Sequence, residues 1–307
     1  MREQIEQFLE HLRVEKQYSE NTLAAYRNDL FQFLGFLEGH TTTWSQVHRD
    51  RILGYIMAMK GNQEYAAATV ARKVAAIKSF FHYLVERGQL KDDPTATLDS
   101  PRVQKRPPRA LSVDDLERLL EAPAHDPAAK GLRDRALLEL LYATGLRVTE
   151  LISLDVDDLN LASATVRVAR ARSKRERIIP IHDRAIEPMQ HYLQRGRIQL
   201  LPKHKTEEAA LFLNHRGERL TRQGLWLIVK HYVRAIGIEE DVTPHTLRHT
   251  CAAHLLGKRA GLEQVQRILG HANISTTQAY THVSMEDTVS SSTHAGDQAR
   301  GERSESK

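Results

Sequence analysis

Between Asp92 and Arg109 the apolar pattern that marks both flanking stretches breaks off. This segment holds four prolines and the run PRVQKRPPR, which carries four positive charges. Proline removes a backbone donor and restricts the residue before it, so the run reads as an extended connector. It splits the 307 residues into two parts, each long enough for its own core. We place a helical domain at 1–92, a basic proline-rich linker at 93–110, a larger domain at 111–286 and a tail at 287–307. After Asp287 the tail reads TVSSSTHAGDQARGERSESK, which offers almost nothing to bury and is expected to be disordered.

The first domain is patterned as helices. Ile5, Phe8, Leu9 and Leu12 make one stripe at helical spacing, and Leu23, Tyr26, Leu30, Phe33, Leu34 and Leu37 make the next, with Ser19 as its N-cap. A third helix runs around Val47, Ile52, Tyr55, Ile56 and Met59. The fourth carries Val70, Val74, Ile77, Phe80, Phe81 and Leu84 and is stopped by Gly88. Arg72, Lys73, Lys78 and Arg87 read as its opposite, basic face: a solvated surface in the ordinary case, a phosphate-binding one in the more specific. We expect a compact four-helix module.

In the second domain Ser112-Val-Asp-Asp115 resembles a capping box and opens a helix through Leu116, Leu119 and Leu120. A helix from Arg133 to Tyr142 follows, then Thr144-Gly-Leu-Arg147 and a short helix to Leu154. ATVRVARA and RERIIPIH flank a charged turn and read as a β-hairpin. Further helices follow, interrupted by an apolar stretch at Leu211–Leu213 and a turn at Asn214–Gly217. Thr243-Pro244 starts a helix through Leu256. The domain is mostly helical with a small sheet.

Composition excludes several classes. No run approaches the roughly 18 apolar residues of a membrane span. The start, MREQIEQFLEHL, does not read as a signal peptide. One cysteine, Cys251, excludes an internal disulfide framework and a multi-cysteine metal site. A cytoplasmic protein is expected. The formal charge of +5 suggests a polyanionic partner, but neither domain is strongly basic as a whole, so a nucleic-acid face must come from clustering in space.

Three segments concentrate reactive side chains. Thr144-Gly-Leu-Arg-Val-Thr-Glu150 sets Arg147 beside a glycine turn, where an arginine by itself most often caps helix carbonyls or pairs with Glu150. Pro244-His-Thr-Leu-Arg-His249 puts His245 and Arg248 three residues apart on one helix. Leu269-Gly-His-Ala-Asn-Ile-Ser-Thr-Thr-Gln-Ala-Tyr280 adds a histidine and a tyrosine. A metal site at His245, His249, Cys251 and His254 is disfavoured, because the histidine pair lacks the glutamate of a zinc-hydrolase helix and Arg248 would sit beside the cation. No metal and no cofactor is expected. Phosphate chemistry suits the set better: arginines grip non-bridging oxygens, histidines move protons near neutral pH, and a tyrosine among positive charges becomes a nucleophile.

TGLRVTEL, PHTLRHTCAAHLL and LGHANISTTQAYTHV, in that order, closely resemble the catalytic motifs of tyrosine recombinases, nearest to the Xer-type and phage-integrase group. The resemblance covers roughly residues 1 to 285. It implies a mainly α protein: an N-terminal helical, SAM-like core-binding domain plus an α+β tyrosine-recombinase catalytic domain with a small β-sheet. It makes Arg147 and Arg248 the catalytic arginines, His245 and His271 the assisting histidines and Tyr280 the nucleophile, with His249 and His282 in supporting roles. The family's lysine lies at the hairpin turn, here Arg170-Ala-Arg-Ser-Lys-Arg-Glu-Arg177. Counting back from Pro180 reaches Arg172, counting forward from Val168 reaches Ala171, and Lys174 is the lysine at the tip. We assign Lys174, because lysine can deliver a proton that arginine keeps.

The implied activity is site-specific cutting and rejoining of double-stranded DNA through a 3′-phosphotyrosyl bond, needing neither nucleotide nor metal. It serves chromosome or plasmid dimer resolution or mobile-element integration. The two domains would clamp the duplex with Arg72, Lys73, Lys78 and the linker. A tetramer on two DNA sites, homomeric or with a related recombinase, is implied, with no membrane partner. The tail departs from the family, which usually carries an apolar docking helix there; Val289 is its one large aliphatic residue. A catalytically silent DNA-binding protein and a type IB-like topoisomerase are the rival readings.

Overall fold

Ser19 opens the longest apolar stripe of the N-terminal part: its hydroxyl oxygen accepts from the Thr22 N–H at 3.0 Å, satisfying a donor that the first helical turn leaves unpaired. The computed structural model describes residues 1–39, 41–61, 65–99, 110–169, 176–202, 208–257 and 261–270. The chain divides into two units, Met1–Arg106 and Pro107–Lys307.

In the first unit, α1 (Arg2–Val14), α2 (Glu20–Leu37), α3 (Arg49–Gly61) and α4 (Ala67–Glu86) bury the stripes expected of them. Trp44 joins their core, its ring 4.8 Å from that of Phe80 and nearly perpendicular to it. Gly88 follows α4 with φ +68°, a conformation that stops the helix at little cost only for glycine.

The basic face expected on α4 is not a free one. Lys73 is fully buried, three residues after Val70 and four before Ile77, and its ammonium donates to Asp29 Oδ1 at 3.0 Å and to Gln32. Arg72 also pairs with Asp29, Lys78 donates to the Leu98 carbonyl at 2.8 Å, and Arg87 bonds Glu15 at 2.7 Å. These cations hold the unit together, and buried Lys73 cannot reach a duplex. The stretch after residue 92 also differs from an extended tether at its start, since Thr95 and Leu98 are buried, Leu98 within the first core. Residues 100–109, with the run of charges, lie outside the described residues.

The second unit is built around α6 (Ala129–Thr144), in which Leu137, Leu138, Leu140 and Leu141 are fully buried. α5 (Val113–Glu121) precedes it, with Ser112 accepting from the Asp115 N–H at 3.1 Å as its cap. After α6 comes α7 (Val148–Ser153), then a three-stranded antiparallel sheet in the order β1 (Leu159–Asn160), β2 (Thr165–Val168), β3 (Arg177–Pro180). The expected hairpin is β2–β3, in register Val166 with Ile179 and Val168 with Arg177. Its turn, 170–175, lies outside the described residues.

Next come α8 (Asp183–His191), a π-helical turn at Tyr192–Gly196 and α9 (Arg197–Leu200). The Tyr192 hydroxyl donates to the Leu211 carbonyl at 3.0 Å and accepts from the Leu213 N–H at 3.1 Å, fixing the apolar stretch at Leu211–Leu213. The unit continues with α10 (Arg222–Ala235), α11 (Pro244–Gly257) and α12 (Leu262–Leu269). Among the described residues no helix is long and apolar enough to cross a membrane. The expected disordered tail at 287–307 lies outside them.

Candidate active site

Gly145 decides where the site forms. It ends α6 with φ +56°, and a Cβ there would stand 2.7 Å from Leu269 Cδ2 and 3.1 Å from Cys251 Sγ. The chain can therefore turn tightly beneath α12 only with glycine at this position. Two residues later Arg147 caps α7: its backbone N–H donates to Glu150 Oε2 at 2.8 Å. Its guanidinium donates to Glu150 Oε1 at 3.2 Å, to the Leu269 carbonyl at 3.3 Å and to the Gly270 carbonyl at 2.9 Å. The side chain is still 41% exposed, so one side of it is open to an incoming anion.

Arg248 reaches the same place from α11. It is buried, donating to the Gly145 carbonyl and to the Leu269 carbonyl at 2.8 Å. The two arginines, distant in sequence, thus meet on one carbonyl oxygen at the C-terminal end of α12, where the helix dipole is negative and favours cations.

A third arginine shares Glu150 with Arg147. Arg177, the first residue of β3, grips Glu150 with two nitrogens at 2.8 and 2.9 Å, and its Nε donates to the Ile268 carbonyl at 3.2 Å. Sequence reading passed over this residue. Its alternation with buried Ile179 along β3 was the available signal, since residues two apart share a strand face. Burial by itself raises the pKa of the Glu150 carboxyl, but the bonds from Arg177 and Arg147 more than offset it and hold the group below its ordinary value. Glu150 is therefore ionised at neutral pH. Two guanidinium groups, those of Arg147 and Arg177, share this one carboxylate, so the cluster keeps a net positive charge.

His245 stands in the first turn of α11 and is exposed, whereas Arg248, three residues on, is buried. Partial burial and then the Arg248 charge lower the His245 pKa, which favours a neutral imidazole. His249, one residue after Arg248, is buried. Among the described residues no group of three or more His, Cys, Asp or Glu could hold a metal ion. Burial pushes the Cys251 thiol up to about 12, and the His254 ring bonds the Tyr142 hydroxyl at 2.9 Å. Of the residues expected to act, the structure brings Arg147 and Arg248 together with His245 on the same helix as Arg248. Lys174 and its alternatives Ala171 and Arg172, and His271, Tyr280 and His282, lie outside the described residues.

Residues 109–287 match the phage integrase family, and residues 5–88 match the phage integrase N-terminal SAM-like domain. The tyrosine recombinase XerC of Herpetosiphon aurantiacus is 48% identical over 290 residues, covering 94% of this chain and 93% of the relative. The tyrosine recombinase XerD of Listeria innocua is 43% identical over 286 residues, covering 92% and 95%. Among solved structures, XerA recombinase matches with a TM-score of 0.54 and 26% identity over 94% of this chain and 98% of that one. XerH recombinase bound to a palindromic difH substrate matches in fold, with a TM-score of 0.74 and 22% identity over 95% and 84%.

A helical SAM-like unit followed by a helical unit with a small sheet and a cluster of arginines is the architecture of the tyrosine recombinases. The chain belongs to the phage integrase family and is a site-specific tyrosine recombinase of the Xer type.

Proposed function

We propose that the chain cuts and rejoins double-stranded DNA with Tyr280 as nucleophile. The phenolic oxygen forms a bond to phosphorus and the bond to the 5′ oxygen breaks, leaving a 3′-phosphotyrosyl link and a 5′-hydroxyl. Arg147 and Arg248 hold the non-bridging oxygens and offset the charge that builds on them. His245, held neutral, is suited to take the tyrosine proton, and His271 assists. Lys174 protonates the departing 5′ oxygen, with Arg172 as the competing occupant of that position. A 5′-hydroxyl from a partner duplex reverses the step and exchanges strands. The covalent link conserves the energy of the broken ester, so rejoining needs no nucleotide. The protein acts in the cytoplasm as a tetramer on two DNA sites, homomeric or with a related recombinase.

The observation that carries this reading is the meeting of Arg147 and Arg248 on the Leu269 carbonyl, two residues ahead of His271 in the chain. The test is recovery of DNA that stays attached to the protein through denaturing detergent, comparing wild type with Tyr280→Phe. Attachment in wild type alone is expected, on a duplex nicked so that the freed fragment diffuses away. Sequencing the trapped DNA then separates dimer resolution from integration. Native binding by both proteins with no attachment by either would overturn the nuclease chemistry in favour of silent binding.

A further inference from the structure

The cluster holds one cation for which the proposed chemistry has no role. Arg177 forks onto both oxygens of Glu150, with both side chains largely buried at 14% and 13% exposure. Paired parallel bonds of this kind fix geometry as well as charge. Its Nε is bonded to the Ile268 carbonyl in the last turn of α12. The fit is close: Gly270, whose φ of +64° favours glycine, passes so near that a Cβ on it would lie 2.9 Å from the Arg177 guanidinium carbon. Arg177 therefore joins the start of β3, the carboxylate of α7 and the end of α12.

Glu150 is the shared element. The Arg147 guanidinium meets Oε1 through a single, longer contact of 3.2 Å, while that of Arg177 occupies both oxygens at closer range. With Arg177 in place, the carboxylate is already neutralised and Arg147 keeps its charge for another partner. Without Arg177, the nearest cation left to Glu150 is Arg147, and a buried carboxylate strongly favours full pairing.

We infer that Arg177 is a positioning residue for strand cleavage: by holding Glu150 in a fork it keeps Arg147 free to grip the scissile phosphate. This rests on the phosphate-binding role proposed for Arg147. It makes the hairpin strand a contributor to the site through a residue other than the lysine.

The test is single-turnover cleavage of a nicked duplex carrying the site trapped by wild-type protein, run with Arg177→Met, Arg177→Lys, Glu150→Gln and the Arg177→Met/Glu150→Gln double variant. Duplex affinity and melting temperature are measured on each. Arg177→Met is expected to cleave about 100-fold slower than wild type while affinity changes by no more than about threefold. Arg177→Lys should fall between them. The decisive arm is the double variant, where loss of the Glu150 charge releases Arg147 and recovers about tenfold of the lost rate.

A residue that merely braced the fold would give a double variant as slow as Arg177→Met, or slower, with a lower melting temperature; that result overturns the inference. So does cleavage by Arg177→Met at close to the wild-type rate. Should Arg177→Met not fold, Arg177→Lys with and without Glu150→Gln gives the same comparison. Absence of any covalent adduct in wild type would strike the proposed function instead, and is read in the same gel.

Discussion

The Gly145 carbonyl accepts a hydrogen bond from the buried Arg248 guanidinium, while a Cβ on Gly145 would stand 2.7 Å from Leu269 Cδ2. One residue thus supplies a contact to a proposed phosphate-binding arginine and the turn that brings Arg147 alongside it. Gly145→Ala must place an L-residue at φ +56° and displace Leu269 or Cys251. The expected loss is roughly 2 to 4 kcal/mol, seen as a fall of about 5–10 °C in melting temperature. Differential scanning calorimetry checks it, and an unchanged melting temperature would refute the strain.

Asp29 and Lys73 make the second prediction. Both are fully buried, so removing the carboxylate in Asp29→Ala leaves an ammonium without its counter-charge. The expected cost to the first unit is about 3–5 kcal/mol. Replacing both, as Asp29→Leu with Lys73→Met, should recover at least about half of that, because well-packed apolar groups often replace a buried pair at little cost. Urea unfolding followed by circular dichroism decides; a double variant weaker than Asp29→Ala would count against the argument.

His245 gives a pH dependence. Its folded pKa is lowered by partial burial and by Arg248, whereas the unfolded chain takes up the proton near the ordinary value of about 6.5. The unfolded state therefore binds more protons below that pH. Stability from this group is complete above about pH 6.5 and is lost as pH falls through the folded pKa. An NMR titration of the imidazole, assigned with His245→Asn, should show a midpoint below 6.5, roughly as expected for such a group. A midpoint at or above it would remove the basis for a neutral His245.

The lone cysteine reports on opening of the second unit. Cys251 is buried and its thiol is pushed up to about 12, so little thiolate exists in the folded protein. Native chain should react with iodoacetamide at least about 100-fold more slowly than chain in denaturant. Labelling at a comparable rate in both would show that α11 is not packed as described.

The helices were legible because each buries a stripe at regular spacing, and their ends carry caps of known chemistry, as at Ser19 and Ser112. The hairpin was legible from its β-branched strands. β1 was not, for Leu159–Asn160 is two residues long and has no alternation to read. The π-turn at Tyr192–Gly196 also escaped, since a shift in hydrogen-bond partner leaves no mark on apolar spacing. Lys73 was assigned to the wrong face because its charge outweighed its spacing; its place between Val70 and Ile77 put it inward. In the site, Arg147 and Arg248 were legible only through motifs, because contacts between residues about a hundred positions apart have no local signature. Arg177 carries no motif of its own, and it emerged only once Glu150 could be seen between two guanidinium groups.

The Leu269 carbonyl, on which both arginines close, and the Gly270 carbonyl, which accepts from Arg147 alone, follow Arg147 by 122 and 123 positions. A chain emerging during synthesis carries Arg147 and Glu150 long before it carries those acceptors. Until α12 has been made and packed, Arg147 has Glu150 and Arg248 has the Gly145 carbonyl, but the acceptor that joins the two arginines is missing, so a growing chain has no assembled phosphate grip. Order of manufacture thus acts as a safeguard: the proposed grip on a DNA strand is armed only after α12 has followed both arginines out of the ribosome.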